Sequence, residues 1–250
     1  MQKKTKSSNK KSSAKSKKSA KAVKPAKESG QAAARVGVGS DPKRVAEILA
    51  KLEEAYPDAT CELTHENPFQ LLISTILSAQ CTDVRVNQVT QSLYKKYRTP
   101  ESLAFANPSE LEQAIRPTGF FRNKTKSIIG ASKGVVEKFG GQVPRTMEEI
   151  LTLPGVARKT GNVVLGSGYG IASGVVVDTH VIRLSNRLDL SKNSDPKKIE
   201  QDLIKLLPQG KWIKFSHQLI WHGRRVCFAR KPKCVDCNLE KLCSAKDKTI

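Results

Sequence analysis

The sequence predicts an all-α protein, and three observations carry that prediction. Hydrophobic residues make up 38% of the 250 and aromatics only 5%, so Leu, Ile, Val and Ala do most of the filling, a mix suited to helices packed on helices. Apolar residues recur at helical spacing behind Asp-Pro, Asn-Pro and Thr-Asp pairs, which start helices. No run of alternating strands appears. The length allows one large or two small domains.

Residues 1–30 contain eleven Lys and one Glu, supplying +10 of the formal +21, and the remaining 220 residues supply +11. A Lys, Ser and Ala tract without apolar periodicity cannot bury enough surface to offset its ordering entropy, so residues 1–40 are expected to be a disordered basic tail. The tail has no apolar h-region, and residues 1–30 have no Arg, which argues against a secretory signal or a transit peptide. It is either a solubilising tail or a polyelectrolyte arm for phosphates; the basic body favours the second. No apolar run approaches the ~20 residues of a membrane span, and a soluble protein is expected.

Asp41-Pro42 opens the folded body, with Val45, Ile48, Leu49 and Leu52 on one stripe. PFQLLISTILSAQ (68–80) is too long for a strand and reads as a buried helix ending at polar Gln80. Thr82-Asp83 caps the next helix, whose last turn carries Lys where cations favour the dipole. Short helices are expected at 100–106 and 108–115, then a Gly turn, a helix holding Ile128, Ile129, Val135 and Val136, and a Gly-Gly stop. Residues 117–129 and 153–165 are distantly alike, a weak internal repeat at best. GVVVDTHVIRLSNRL (174–188) reads as a loop entering a helix capped near Asp178, since its Val triplet has no evident strand partner. Asp195-Pro196 starts a helix to about Leu207, and a last one covers 211–223.

Three stretches carry chemistry. In LPGVARKTGN (153–162), Pro154 and Gly155 force a sharp turn that presents backbone N–H groups, at Gly155 and Val156, near a helix N-terminus. With Arg158 and Lys159 beside it, the turn is either a phosphate site that reads no sequence or an ordinary αα-hairpin with two exposed cations. Lys159 could only grip phosphate. Alternatively, the positive helix end and the neighbouring Arg158 disfavour its ammonium, lowering the pKa from ~10.4 and making a nucleophile able to form Schiff bases. Asp178 reads on its own as an N-cap.

The third stretch is Cys227-x6-Cys234-x2-Cys237-x5-Cys243, four of six cysteines within seventeen residues. Such crowding is not a disulfide framework; it fits a metal or cluster site in a reducing compartment. Only one C-x2-C knuckle is present, so zinc and an iron–sulfur cluster are both open. The intervening ARKPK (229–233) is too basic for a core, and Lys231 and Lys233 would be held on a rigid loop, ready to meet phosphates.

LPGVARKTGNVVL, VDTH (177–180), the cysteine tail and LLISTILSAQCTDVRVNQ (71–88) closely resemble, in their order and spacing, the endonuclease III family of bifunctional DNA glycosylases in the helix–hairpin–helix superfamily. The resemblance runs from about residue 41 to 250. It implies two α domains flanking a cleft: a six-helix barrel at 62–172, and a domain joining 41–61 to 173–250 around a [4Fe–4S] cluster held by Cys227, Cys234, Cys237 and Cys243. It places a Schiff-base lysine at Lys159 and an essential aspartate at Asp178, acting on double-stranded DNA with damaged pyrimidines or abasic sites. Gln80 then fills the gap left by the flipped base, and Phe120 stands where the bacterial archetype has a leucine wedge. Cys81, beside Gln80, reads as a small buried residue. The implied enzyme is a monomer of the cytoplasm and nucleoid in a bacterial source, or of the nucleus in a eukaryotic one. Two rivals stay open. A monofunctional adenine glycosylase lacks the lysine and adds a C-terminal recognition domain, whereas this chain runs only seven residues past Cys243; a non-catalytic DNA-binding module with a structural metal needs neither Lys159 nor Asp178.

Removing residues 1–30 is expected to weaken non-specific duplex binding and flatten its salt dependence while sparing the chemistry. Titrations of both chains over a range of salt concentrations check this; equal slopes contradict it.

Overall fold

The computed structural model describes Gly39 and residues 41–249, so the predicted basic tail, Gly39 apart, lies outside the described residues. The described residues form eleven α-helices and no strand. They are α1 (Pro42–Ala55), α2 (Pro68–Leu77), α3 (Asp83–Lys96), α4 (Pro100–Ala104), α5 (Pro108–Ile115), α6 (Phe121–Phe139), α7 (Met147–Ile150), α8 (Arg158–Val163), α9 (Thr179–Arg187), α10 (Pro196–Leu206) and α11 (Trp212–Arg225). None is long and apolar enough to cross a membrane.

The helix starts follow from capping chemistry. Asp41, Asn67, Thr82, Thr99, Asn107, Thr146, Asp178 and Asp195 each accept a first-turn N–H through the side chain. Helices α1, α2, α4, α5 and α10 add Pro in the first turn, where the missing N–H has no partner to lose. Helices α6, α8 and α11 begin without a side-chain cap. Two of these, α6 and α8, follow the turns containing Gly119 and Gly155.

Two expectations need correction. The apolar helix expected through Gln80 stops at Leu77, because Gln80 takes a left-handed backbone (φ +52°) that no helix continues through. The suggested repeat does not extend to the local geometry: α6 starts from a left-handed Phe120 and runs nineteen residues, whereas α8 starts from an extended Ala157 and runs six before a π-helical turn, Val164–Gly168.

The apolar side chains gather into two clusters. One draws on α2 to α8, with Leu71, Leu72, Leu77, Ile128, Val135, Ile150 and Leu165 fully buried. The other draws on α1, α9, α10 and α11, with Leu52, Val181, Ile199, Phe215 and Leu219 at its centre. The Val triplet joins them. In extended chain successive side chains point opposite ways, so Val175 and Val177 enter the second cluster and Val176 the first. Ser216 Oγ accepts the Val176 N–H at 3.0 Å and fixes this segment against α11.

His217 of α11 lies between these clusters, 8% exposed, with Nε2 3.0 Å from Ser167 Oγ in the π turn. Burial pushes its imidazole down to about 4, with the Glu62 charge opposing. Between the ordinary value of 6.5 and about 4, the unfolded chain therefore holds a proton that the folded one refuses. Stability should be fully present above pH 6.5 and fall on acidification, approaching ~1.4 kcal/mol per pH unit from this group. Urea midpoints at pH 7 and pH 5 test this, and His217→Gln should flatten the slope.

Candidate active site

Helix α7 ends at Ile150 and the chain turns through 151–157 into α8. Gly155 has φ +75°, and a Cβ there would lie 2.5 Å from Ser127 Cβ on α6. Only glycine fits that approach. Val156 anchors the turn from within: its side chain is buried in the first cluster and its N–H donates to Leu153 O at 3.2 Å. That N–H is therefore already spent inside the turn.

Lys159 is exposed in the first turn of α8 and forms no ion pair among the described residues. Arg158 behaves differently. Its Nε donates to Glu200 Oε2 at 2.6 Å, and the Glu200 side chain is only 4% exposed. The cation expected to add like charge beside Lys159 is thus matched by a carboxylate from α10. Asn162, one turn on, donates to the other Glu200 oxygen at 2.8 Å and accepts from Ser173 Oγ at 3.0 Å. Gly174 leaves room for this group, since a Cβ there would fall 2.1 Å from Glu200 Oε1. The lysine-bearing helix is thereby tied to α10 and to the segment that leads to Asp178.

Asp178 caps α9, its Oδ1 accepting the Val181 N–H at 2.8 Å. The cap fixes the carboxylate's orientation while it stays half-exposed. Lys159 and Asp178 line the same two adjoining pockets. The deeper has a cavity volume of about 70 Å³ and is walled by Thr60, Cys61, Leu63, His217 and Trp221. The shallower one adds Gln80, Cys81 and Val84. Cys81 is therefore half-exposed at the cleft rather than a buried filler, because the chain has already left α2.

Arg224 of α11 lines both pockets, with Nη2 2.7 Å from Asp83 Oδ2 and Nη1 paired with Glu62. It links α11 to the start of α3, next to the Gln80 turn. Sequence reasoning missed Arg224, Glu62 and Glu200 and read Asp83 only as part of a helix start; each acquires its role only through a distant partner.

The remaining candidates do not meet at one point. Phe120 is 62% exposed with φ +46° and does not line the cleft pockets. Lys231 is exposed with φ +52°, and exposed Lys233 sits 5.9 Å from the Phe228 ring centre.

Cys227, Cys234, Cys237 and Cys243 are free thiols that line one pocket. No three His, Cys, Asp or Glu among the described residues converge as ligands of a single ion; the four thiols face a shared volume instead. Arg187 Nη1 lies 3.1 Å from Cys227 Sγ, and His222 Nε2 lies 3.4 Å from Cys237 Sγ. The Arg187 guanidinium, a donor at that range, suits a sulfur that carries negative charge.

Gly155→Ala should lower the unfolding free energy by about 2 kcal/mol, combining left-handed strain with displacement of Ser127. Urea denaturation checks the size, and a loss under about 0.5 kcal/mol would mean that the turn relaxes freely.

Residues 73–209 match the HhH-GPD superfamily base excision DNA repair proteins. Endonuclease III of Synechocystis sp. is 56% identical over 206 residues, covering 82% of this chain and 94% of that one. Endonuclease III of Bacillus subtilis is 43% identical over 202 residues, covering 80% and 92%. Among solved structures, a non-covalent endonuclease III–DNA complex aligns with a TM-score of 0.78 at 41% identity, over 82% of this chain and 95% of that one. A trapped endonuclease III–DNA covalent intermediate aligns equally well, over 82% and 96%. With its lysine-bearing turn, its aspartate and its paired clusters on one cleft, the chain belongs to the HhH-GPD superfamily of base excision DNA repair proteins, in its endonuclease III family.

Proposed function

We propose that this protein excises oxidised pyrimidines from duplex DNA and then cuts the strand at the resulting abasic site, with Lys159 as nucleophile and Asp178 as its charged partner. One observation carries the reading: Lys159 and Asp178, nineteen positions apart and on different helices, open onto the same pair of pockets. A trapped covalent DNA intermediate of a relative supports a nucleophilic route.

The chemistry is dictated by the charges. The damaged base leaves the stack and enters the cleft that Lys159 and Asp178 line. Lys159 Nζ attacks C1′ as the C1′–N bond breaks, and the base leaves with the bonding pair, taking up a proton. Asp178 stabilises positive charge developing on the sugar. A proton passes from the attached amine to the ring oxygen O4′ as the C1′–O4′ bond breaks, and the nitrogen lone pair forms the C=N bond of an iminium. Its C2′ proton is then removed, the electrons form the C2′–C3′ double bond, and the C3′–O bond breaks to release the 3′ phosphate. Water hydrolyses the imine and frees Lys159. A non-catalytic module would need no such amine beside a carboxylate, and the adenine-type rival lacks it.

The DNA-holding roles are assigned on the same reading. The backbone of the Gly155 turn grips phosphate, with Val156 as its buried anchor. Arg158, paired with Glu200, serves more to brace α8 than to bind phosphate. Gln80 and Phe120 enter the duplex, and Lys231 and Lys233 meet the backbone further along. Cys227, Cys234, Cys237 and Cys243 all line one pocket and include only one C-x2-C knuckle, which favours a [4Fe–4S] cluster over a structural zinc with two knuckles. Such a cluster would cross-link the C-terminal loop, whose few buried apolar groups leave it short of packing. The two apolar cores support a barrel at 62–172 and a second domain from 41–61 and 173–250. The enzyme works wherever its DNA lies, in a bacterium the cytoplasm and nucleoid.

Borohydride reduction during turnover on a thymine glycol or abasic duplex tests the reading. A protein–DNA adduct is expected, absent with Lys159→Gln, and Asp178→Asn should slow base release by about 10²–10⁴-fold with binding retained. Binding without an adduct would return the site to a monofunctional or non-catalytic role.

A further inference from the structure

Lys124, in the first turn of α6, is 5% exposed and its ammonium faces inward. Nζ donates to Leu77 O at 2.7 Å and to Thr118 O at 2.7 Å. No carboxylate pairs with it among the described residues. A buried ammonium without a counter-ion is expensive, and burial lowers its pKa accordingly. Its compensation is a pair of helix ends. Leu77 is the last residue of α2, and Thr118 the last of a 3₁₀ turn, Arg116–Thr118, so one cation caps two carbonyl termini.

Each capped end leads into an exposed turn. Three residues past Leu77 stands Gln80, and two past Thr118 stands Phe120, both exposed and both left-handed without being glycine. The Lys124 N–H also donates to Phe120 O at 3.1 Å. Three hydrogen bonds from one residue therefore hold the roots of both protruding turns.

We propose that Lys124 is a positioning residue that locks the Gln80 and Phe120 turns at a fixed separation, so that both side chains enter the duplex as one rigid wedge when the damaged base is expelled. The proposal rests on the reading of Gln80 and Phe120 as duplex-inserting residues, and deepens it. Lys124 touches neither DNA nor the reacting atoms.

The test uses full-length Lys124→Met, which keeps the stem's volume and removes the donors. Single-turnover release of thymine glycol from a duplex should fall at least tenfold, and the fluorescence rise of 2-aminopurine opposite the lesion should slow in parallel. Cleavage of a single-stranded abasic oligonucleotide needs no wedge and should stay within twofold. Equal losses on both substrates would mark a general structural role and overturn the proposal. So would duplex release within twofold of wild type while Gln80→Ala and Phe120→Ala are impaired. If the double variant Gln80→Ala/Phe120→Ala excises normally, the wedge reading itself fails and takes this proposal with it. Should Lys124→Met not fold, the unmodified protein decides by hydrogen exchange. Amides at 79–82 and 119–122 are expected to open together as one unit, and independent opening would overturn the coupling.

Discussion

The alternation of Val175, Val176 and Val177 between two apolar cores is the constraint on which the rest depends. Burying each of these side chains is worth roughly 1.5–3 kcal/mol, and an extended segment can satisfy both cores only if it runs along their boundary. A one-residue slip would turn Val176 away from its core and rotate every following side chain to the wrong face. Asp178 is the next residue. Its place at the seam is thus a consequence of hydrophobic register, made final by the cap it gives α9. The cleft is the gap left where two cores, each closed on itself, share one strand of chain.

Charge then organises what the cores leave open. Buried carboxylates need partners, and Glu200 takes its own from Arg158 and Asn162, both on the helix that carries Lys159. This arrangement matches the Arg158 charge inside the protein and leaves Lys159 without an ion pair among the described residues. Arg224 does the corresponding work across the cleft, joining Glu62 and Asp83 to α11. The helix that carries Lys159 and the cap that orients Asp178 are held by separate hydrogen-bond networks.

Much of this was legible in the sequence, and the limit is physical. Asp41-Pro42, Asn107-Pro108 and Asp195-Pro196 declare helix starts because capping needs only residues within three positions. The Pro154-Gly155 turn and the crowded cysteines are likewise local. The Arg158–Glu200 pair spans 42 positions, Lys124 and Leu77 are 47 apart, and Arg224 and Asp83 are 141 apart. Nothing in a helix's own periodicity selects such partners. The Val triplet looked partnerless for the same reason: its partners are two cores, one of them assembled from both ends of the described chain.

The backbone itself records where packing has been overruled. Among the described residues four that are not glycine are left-handed: Gln80, Phe120, Asp189 and Lys231. Asp189 belongs to a residue type whose short polar side chain tolerates that region; Gln, Phe and Lys have no such excuse, and each costs about 1 kcal/mol. Gly119, directly before Phe120, also has a positive φ (+72°), so the turn needs two such residues in succession and the second is aromatic. A fold optimised only for stability would place glycine at all three positions. Keeping a long amide, a large ring and a cation there makes sense when the side chain is needed outside the protein, and all three project from the surface. The strain is sustained by anchors nearby: the Lys124 ammonium under two of these turns, and Pro232, buried beside Lys231, under the third. Rigid roots beneath exposed tips keep each side chain pointed outward, since a tip free to fold back would relieve the strain and lose the projection.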